Sequence, residues 1–258
     1  MIDTHAHVHD KAFDEDRPQM LERARSSGVE TIITVGCDLA DSTRALACAT
    51  TYNLYASVGI HPHEAKDAPS DLEAAFAPFL QDERIIALGE TGLDYYYGHS
   101  PRDAQIACLR AQLRVARDHD YPVIFHHRDA FEDFHTVLRE AFTPGMRGVI
   151  HCFTGTSEQA KIYVEDFGLM LGIGGVITFK SAQAIRDAVQ SVGVSHCILE
   201  TDCPYLAPTP HRGKRNEPAF ISGTAAALAT LCDQPIENVL ALTDTNARTL
   251  FGIPKTQK

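Results

Sequence analysis

Short apolar, β-rich runs alternate along the chain with longer stretches in which apolar residues recur every three or four positions. The first pattern predicts strands and the second amphipathic helices. Eight strands are predicted, at Ile2–His7, Thr31–Gly36, Tyr55–Ile60, Ile85–Glu90, Val123–His126, Gly148–His151, Leu169–Ile173 and His196–Thr201. Between them Ile106, Leu109, Leu113 and Ala116 share one helical face, as do Ile185, Ala188, Val189 and Val192. Capping boxes mark two helix starts, Ser70 with Glu73 and Thr156 with Gln159. Pro78 is expected to kink the third helix or end it early. A Pro-rich polar loop, Pro204 to Pro218, follows the eighth strand and leads to an Ala-rich helix through Thr224–Leu231 and a last helical stretch at Ile236–Leu242.

Alternation of this kind belongs to the α/β class with a mainly parallel sheet. No segment reads as a linker, so residues 1–258 are expected to form one domain, a single (β/α)8 TIM barrel, with a doubly wound open sheet as the alternative. With 44% hydrophobic and 22% charged residues the chain is of ordinary globular composition, and disorder is expected only at Lys255–Lys258. The seven cysteines are odd in number, scattered and without a C-x-x-C pair, which counts against a disulfide framework or a zinc ribbon. No apolar leader precedes His5 and no apolar run reaches the length of a membrane span, so a cytoplasmic protein without a membrane partner is expected. A net charge of −11 disfavours a sequence-independent duplex binder, which needs many phosphate-neutralising cations, but not an enzyme that holds a nucleic-acid end locally.

In a (β/α)8 barrel the active site lies at the C-terminal ends of the strands. Those positions hold His5 and His7, then His61, Glu90, His126, His151 and Asp202. His5 and His7 stand two apart on a strand, which turns both imidazoles to one face. Further histidines, His99, His119, His135, His196 and His211, fall in loops, helices or strand starts and are read as structural or solvated. The strand-end set exceeds the needs of one tetrahedral ion and suits two divalent ions, Mg, Mn or Zn. The expected division gives His5, His7 and Asp202 to one ion and His126 and His151 to the other, with Glu90 as a bridge. Two ions about 3.5–4 Å apart would activate a water and clamp the attacking and leaving oxygens of a phosphoryl transfer, and Asp202 would also take the proton from the nucleophile.

The segments Asp3-Thr4-His5-Ala6-His7, Gly59-Ile60-His61-Pro62-His63, Gly89-Glu90-Thr91-Gly92-Leu93-Asp94-Tyr95, Pro122-Val123-Ile124-Phe125-His126 with Arg128-Asp129, His151-Cys152-Phe153 and Glu200-Thr201-Asp202-x-Pro204-Tyr205-Leu206 resemble the TatD family of metal-dependent deoxyribonucleases, in the same order over essentially the whole chain. The resemblance implies a TIM-barrel hydrolase of the amidohydrolase-like kind, a 3′–5′ exonuclease in several members, with metal ligands at His5, His7, Glu90, His126, His151 and Asp202. Two positions depart from the family pattern. Strand five ends His126-His127, where the family has one His and then a small polar residue; Pro122 before it and Arg128 after it favour His126. Cys203 stands where Ser is common and is expected to be a small residue behind the ligands.

For substrate, Arg128 is a phosphate candidate because guanidinium matches phosphate oxygens bidentately. The loop carrying His211, Arg212, Lys214 and Arg215 against the single acid Glu217 reads equally as a phosphate-binding segment, with Arg212 as its contact, and as a solvated loop. His61, ahead of His63, is expected to meet substrate or orient a ligand, and Tyr95, Tyr96 and Tyr97 either stack on bases or pack their own loop. The leading expectation is exonucleolytic cleavage of single-stranded DNA ends, with RNA also in reach and no obligate protein partner. The competitor is metal-dependent hydrolysis of an amide, lactone or carboxylic ester, including deacylation of D-aminoacyl-tRNA. A serine hydrolase, a Walker-type nucleotidase and a dinucleotide-binding enzyme are set aside, since the chain lacks Gly-x-Ser-x-Gly and Gly-Lys-Ser/Thr motifs, and Gly172-Ile173-Gly174-Gly175 lacks the third glycine and the helix of a dinucleotide fingerprint.

Overall fold

The computed structural model describes residues 1–255; of the tail expected to be disordered, 256–258 lie outside the described residues. The strands are β1 (Ile2–Ala6), β2 (Thr31–Val35), β3 (Tyr55–Val58), β4 (Ile85–Asp94), β5 (Val123–Arg128), β6 (Gly148–Ile150), β7 (Met170–Ile173) and β8 (Cys197–Leu199). The helices are α1 (Arg17–Ser26), α2 (Leu39–Tyr52), α3 (Leu72–Leu80), α4 (Arg102–Asp118), α5 (Phe131–Ala141), α6 (Ser157–Lys161), α7 (Gln183–Val192), α8 (Ile221–Leu231) and α9 (Ile236–Phe251). The eight strands follow chain order in one sheet, β1 to β8. That order defines the (β/α)8 barrel and excludes the doubly wound alternative, in which the order reverses at a switch point. Among the described residues no helix is long and apolar enough to cross a membrane.

The chain divides into two compact units: Met1–Thr34 with the segment from Cys152 onward, and Val35–His151. In the first unit β1 pairs with β2 (Ile2 opposite Thr31) and β7 with β8 (Gly172 opposite Ile198), all parallel. Beyond the end of β8 the backbone joins β1: the Asp202 amide donates to the His5 carbonyl and the His7 amide to the Cys203 carbonyl, each at 2.8 Å. Ile2, Ile33, Leu171 and Ile198 are buried between these strands and their helices, as expected of parallel strands covered on both faces. Helix α9 runs nine residues past the predicted Leu242, because Val239, Thr243, Ala247, Leu250 and Phe251 continue one buried face. From that helix Asp244 accepts the Ile2 amide at 2.9 Å and Asn246 donates to the Cys197 carbonyl at 2.9 Å, so these two polar residues hold strand ends.

In the second unit β4 is the longest strand, paired with β3 (Val58 opposite Leu88) and β5 (Gly92 opposite His126, Asp94 opposite Arg128), with a register shift between Leu88 and Thr91 that contains Glu90. Gly92 is required where β4 passes β5, since a Cβ there would lie 1.8 Å from the His126 carbonyl oxygen. Helix α4 contributes two buried glutamines seven residues apart, two helical turns and so on one face. Gln112 clasps the Ile60 peptide from both sides at 2.9 Å, and Gln105 clasps that of Asp94 at 2.8 and 3.0 Å. They satisfy backbone groups where β3 and β4 give way to loops, and so fix the chain beside His61 and Asp94.

One local expectation needs adjustment. The N-cap of α3 is Asp71, whose carboxylate accepts the Ala74 amide at 3.0 Å, not Ser70: adjacent residues can both cap, and the helix begins at Leu72. Pro78 sits inside α3, which ends two residues later at Leu80. The Thr156–Gln159 box forms as expected, with both reciprocal bonds at 3.0 and 3.3 Å.

Candidate metal centre

In the first unit His5 lies at the end of β1 and His7 just beyond it, their rings edge to face at 5.2 Å between centroids. Asp202, in a left-handed conformation (φ 55°), directs Oδ1 to within 3.5 Å of His7 Nε2 and 3.8 Å of His5 Nε2. The backbone that aims these groups is fastened by Asp3, which is fully buried and accepts the Thr201 hydroxyl at 2.6 Å and the Thr201 amide at 3.0 Å. Burial pushes the Asp3 carboxyl up to about 8, against the pull of those hydrogen bonds. Arg17 pins the chain after His7 by donating to the carbonyls of Val8, His9 and Asp10. Cys203 is fully buried, and burial drives its thiol well above the ordinary range, so it is a small neutral residue under the ligands, not a nucleophile.

In the second unit a buried carboxylate sits among imidazoles. Glu90 Oε1 lies 2.7 Å from His126 Nδ1, 3.1 Å from His151 Nε2 and 3.5 Å from His61 Nε2. Burial opposes the charge on Glu90, but the surrounding His151, His61 and His126 outweigh it and hold the carboxyl well below its usual range. Burial takes His61 down to about 3, so it is a neutral imidazole at neutral pH. On the far side of His126, Nε2 meets Asp94 Oδ2 at 3.0 Å, and the same oxygen meets His63 Nε2 at 3.0 Å. Burial disfavours the His126 cation, but Asp94 and Glu90 prevail and raise its pKa.

This donor set fits a divalent cation. His126 has a carboxylate on each ring nitrogen, an arrangement in which a bare imidazole needs two protons. A cation beside Glu90 replaces one of them and leaves Nε2–H on Asp94, the carboxylate–histidine pairing common behind metal ligands. His61, Glu90 and His126 each offer a ligand atom within 4.8 Å of the others.

The structure thus brings His5, His7 and Asp202 together in one unit and His61, Glu90, His126 and His151 in the other. His127 is outside both sets, its ring tilted on Phe134 at 5.0 Å and edge-on to Phe131, and burial takes it down to about 4. Arg128 lies over the rings of Tyr96 and Tyr97 at 3.9 and 4.8 Å. Arg212 is exposed over Phe179 at 4.4 Å. Its loop neighbours are engaged elsewhere: Arg215 forms a two-pronged pair with Asp16 at 2.7 Å, Glu217 pairs with Arg23, and His211 stacks on Phe220 at 3.8 Å. Asp94, Asp3, Gln105 and Gln112 drew no functional reading from the sequence. The signal for the glutamines was present, as polar residues on the apolar face of α4.

A (β/α)8 barrel with imidazoles and carboxylates gathered at its strand ends defines a metal-dependent hydrolase. The model of the TatD-related DNase family matches residues 2–252. The metal-dependent hydrolase YabD of Bacillus subtilis, itself called uncharacterized, is 37% identical, with 98% of this chain and 99% of that protein covered. The 3′-5′ ssDNA/RNA exonuclease TatD of a Rahnella species is 35% identical over 93% of this chain and 94% of its own. The crystal structure of YJJV, a TatD homologue of Escherichia coli, superposes with a TM-score of 0.92 at 30% identity, covering 98% of each chain. The chain belongs to the TatD-related DNase family.

Proposed function

We propose that the protein is a 3′–5′ exonuclease on single-stranded DNA, with single-stranded RNA as a further substrate. His5, His7 and Asp202 are the ligands of one divalent ion, and Glu90, His126 and His151 those of a second. Bound there, Mg, Mn or Zn lowers the pKa of a water and neutralises charge on the phosphoryl oxygens. Asp202, whose Oδ1 lies 3.5 and 3.8 Å from the two imidazoles, receives the proton of the attacking water. Glu90 keeps its charge through the surrounding imidazoles and donates an oxygen as ligand and electrostatic anchor. Neutral His61, whose Nδ1 accepts the His63 amide at 3.1 Å and whose proton is therefore on Nε2, 3.3 Å from His126 Nδ1, orients that ring or donates a hydrogen bond to substrate. Arg128 binds a phosphate oxygen, with Arg212 as a more peripheral contact.

The observation that carries phosphate over carbonyl chemistry is Arg128. Among the described residues it has no carboxylate partner, and it follows two residues after His126 on the same strand. A carbonyl substrate has no need of such a cation, whereas a phosphodiester does. The name of the Rahnella relative supports the same reading. The test is to incubate the purified protein with Mg2+ or Mn2+ and 5′-labelled single-stranded DNA, beside aryl esters and D-aminoacyl-tRNA. Stepwise shortening from the 3′ end, abolished by a chelator, is expected. Efficient carbonyl hydrolysis without nucleotide release would overturn the proposal.

A further inference from the structure

Two tyrosines in the loop after β4, Tyr96 and Tyr97, keep 58% and 53% of their surface exposed, although large aromatic side chains are ordinarily buried. They are nevertheless held in place. The buried Asp94 accepts both backbone amides on Oδ1, from Tyr96 at 2.9 Å and Tyr97 at 3.0 Å. The rings brace each other edge to face at 4.8 Å. Tyr97 stacks on His99, nearly parallel at 12°, and stands edge-on to His63 at 5.4 Å. The Arg128 guanidinium spans both rings. Exposed rings fixed in this way lose little freedom when something stacks on them, which is the condition for an effective platform.

Asp94 also sets where the platform stands. Its other oxygen is the shared partner of His126 and His63, so one carboxylate separates the tyrosines from a candidate ligand. Arg128 places a cation at the same spot on a chain of net charge −11. Aromatic faces flanked by a cation match an unpaired nucleobase with its adjoining phosphate. The geometry points to Tyr96, Tyr97 and Arg128 as a subsite that takes the base and phosphate of a nucleotide at a single-stranded end, an assignment that rests on the phosphodiesterase reading above. Stacking uses the face of any base, so the subsite discriminates single strand from duplex, not one base from another.

The test uses the full-length, Mg2+-loaded protein and a fluorescent phosphorothioate pentanucleotide, with binding followed by anisotropy. Tyr96→Leu/Tyr97→Leu is expected to bind about 5- to 150-fold more weakly than the parent, the range for loss of base stacking, while Tyr96→Phe/Tyr97→Phe binds as the parent does. On the unaltered protein, a pentanucleotide with abasic 3′-terminal residues is expected to bind as weakly as the intact one binds the Leu variant. Undiminished binding by the Leu variant, or equal affinity of the unaltered protein for intact and abasic strands, overturns the subsite. A protein that binds the intact strand through these tyrosines but releases no nucleotide from an ordinary oligonucleotide overturns the exonuclease reading and leaves the subsite standing.

Discussion

In the first unit the carboxylate of Asp202 stands 3.5 and 3.8 Å from its two imidazoles, while in the second Glu90 meets His126 and His151, and Asp94 meets His126 and His63, at 2.7 to 3.1 Å, with only His61 farther off at 3.5 Å. The first set keeps its spacing through the backbone: His5 and His7 ride on a strand whose end is joined to the Asp202–Cys203 segment by two amide hydrogen bonds, with Asp3 fastening Thr201. The second keeps its spacing through side chains that hold one another, with His126 gripped from both ends. A set fixed by main chain tolerates a change at one member without moving the rest. A set fixed by mutual hydrogen bonds rearranges when any member is lost.

The largest effect that would probe this contrast comes from Asp202→Asn. Loss of a proton acceptor costs about 10²–10⁴-fold in kcat, and because the backbone holds the site, the one ion assigned to Glu90, His126 and His151 should remain; metal analysis of the variant by mass spectrometry checks this, and loss of all bound metal breaks the contrast. Asp94→Asn comes next. It leaves a carbonyl oxygen for the Tyr96 and Tyr97 amides but removes the acceptor for His126 Nε2, and a fall of about 10- to 100-fold in metal affinity is expected, measured by competition with a chelating dye. Third, Asp94→Asn and His63→Gln should combine non-additively, with a coupling of about 0.5–3 kcal/mol in denaturant unfolding of the metal-free protein, since His63 bonds Asp94 directly through the oxygen it shares with His126. Simple additivity would show that the second set is no network.

The smallest effect belongs to a carboxylate at the surface of the first unit. The hydrogen bond from Arg215, aided by Arg23, holds Asp16 at about 2, below its ordinary 3.8. A depressed carboxyl stabilises the folded state above its unfolded pKa and loses that contribution as pH falls through the folded value. The melting temperature should therefore carry an Asp16-dependent decline between about pH 4 and pH 2, absent in Asp16→Asn, with a difference at pH 7 of no more than about 1 kcal/mol for so exposed a pair.

Much of the fold was legible because strand runs and helical periodicity are local signals, and all eight predicted strands are present to within a few residues at their ends. The candidate ligands were legible for a related reason: the barrel places strand ends together, so position along the chain stood in for position in space. What was illegible depends on distant partners. Arg215 belonged to a loop that read equally as phosphate-binding and as solvated, and Asp16, 199 residues away in sequence, claims both its terminal nitrogens. Asp94 was visible as a letter in a motif, but no local pattern says that its two oxygens would serve two imidazoles and two loop amides. Ser70 and Asp71 are equally good caps by type, and only the position of the first helical turn chooses between them.

The bonds from Asp3 to Thr201 and from Asp202 to His5 span almost 200 residues. The contacts of Glu90 with His61, His126 and His151 lie within a much shorter stretch of chain. During synthesis from the N-terminus, one half of the proposed catalytic apparatus can settle while translation continues, but the other must wait for the eighth strand to leave the ribosome. Under the proposed function, a nascent chain gains activity on single strands only after most of its sequence has been made, and truncations before Asp202 should yield no active fragment.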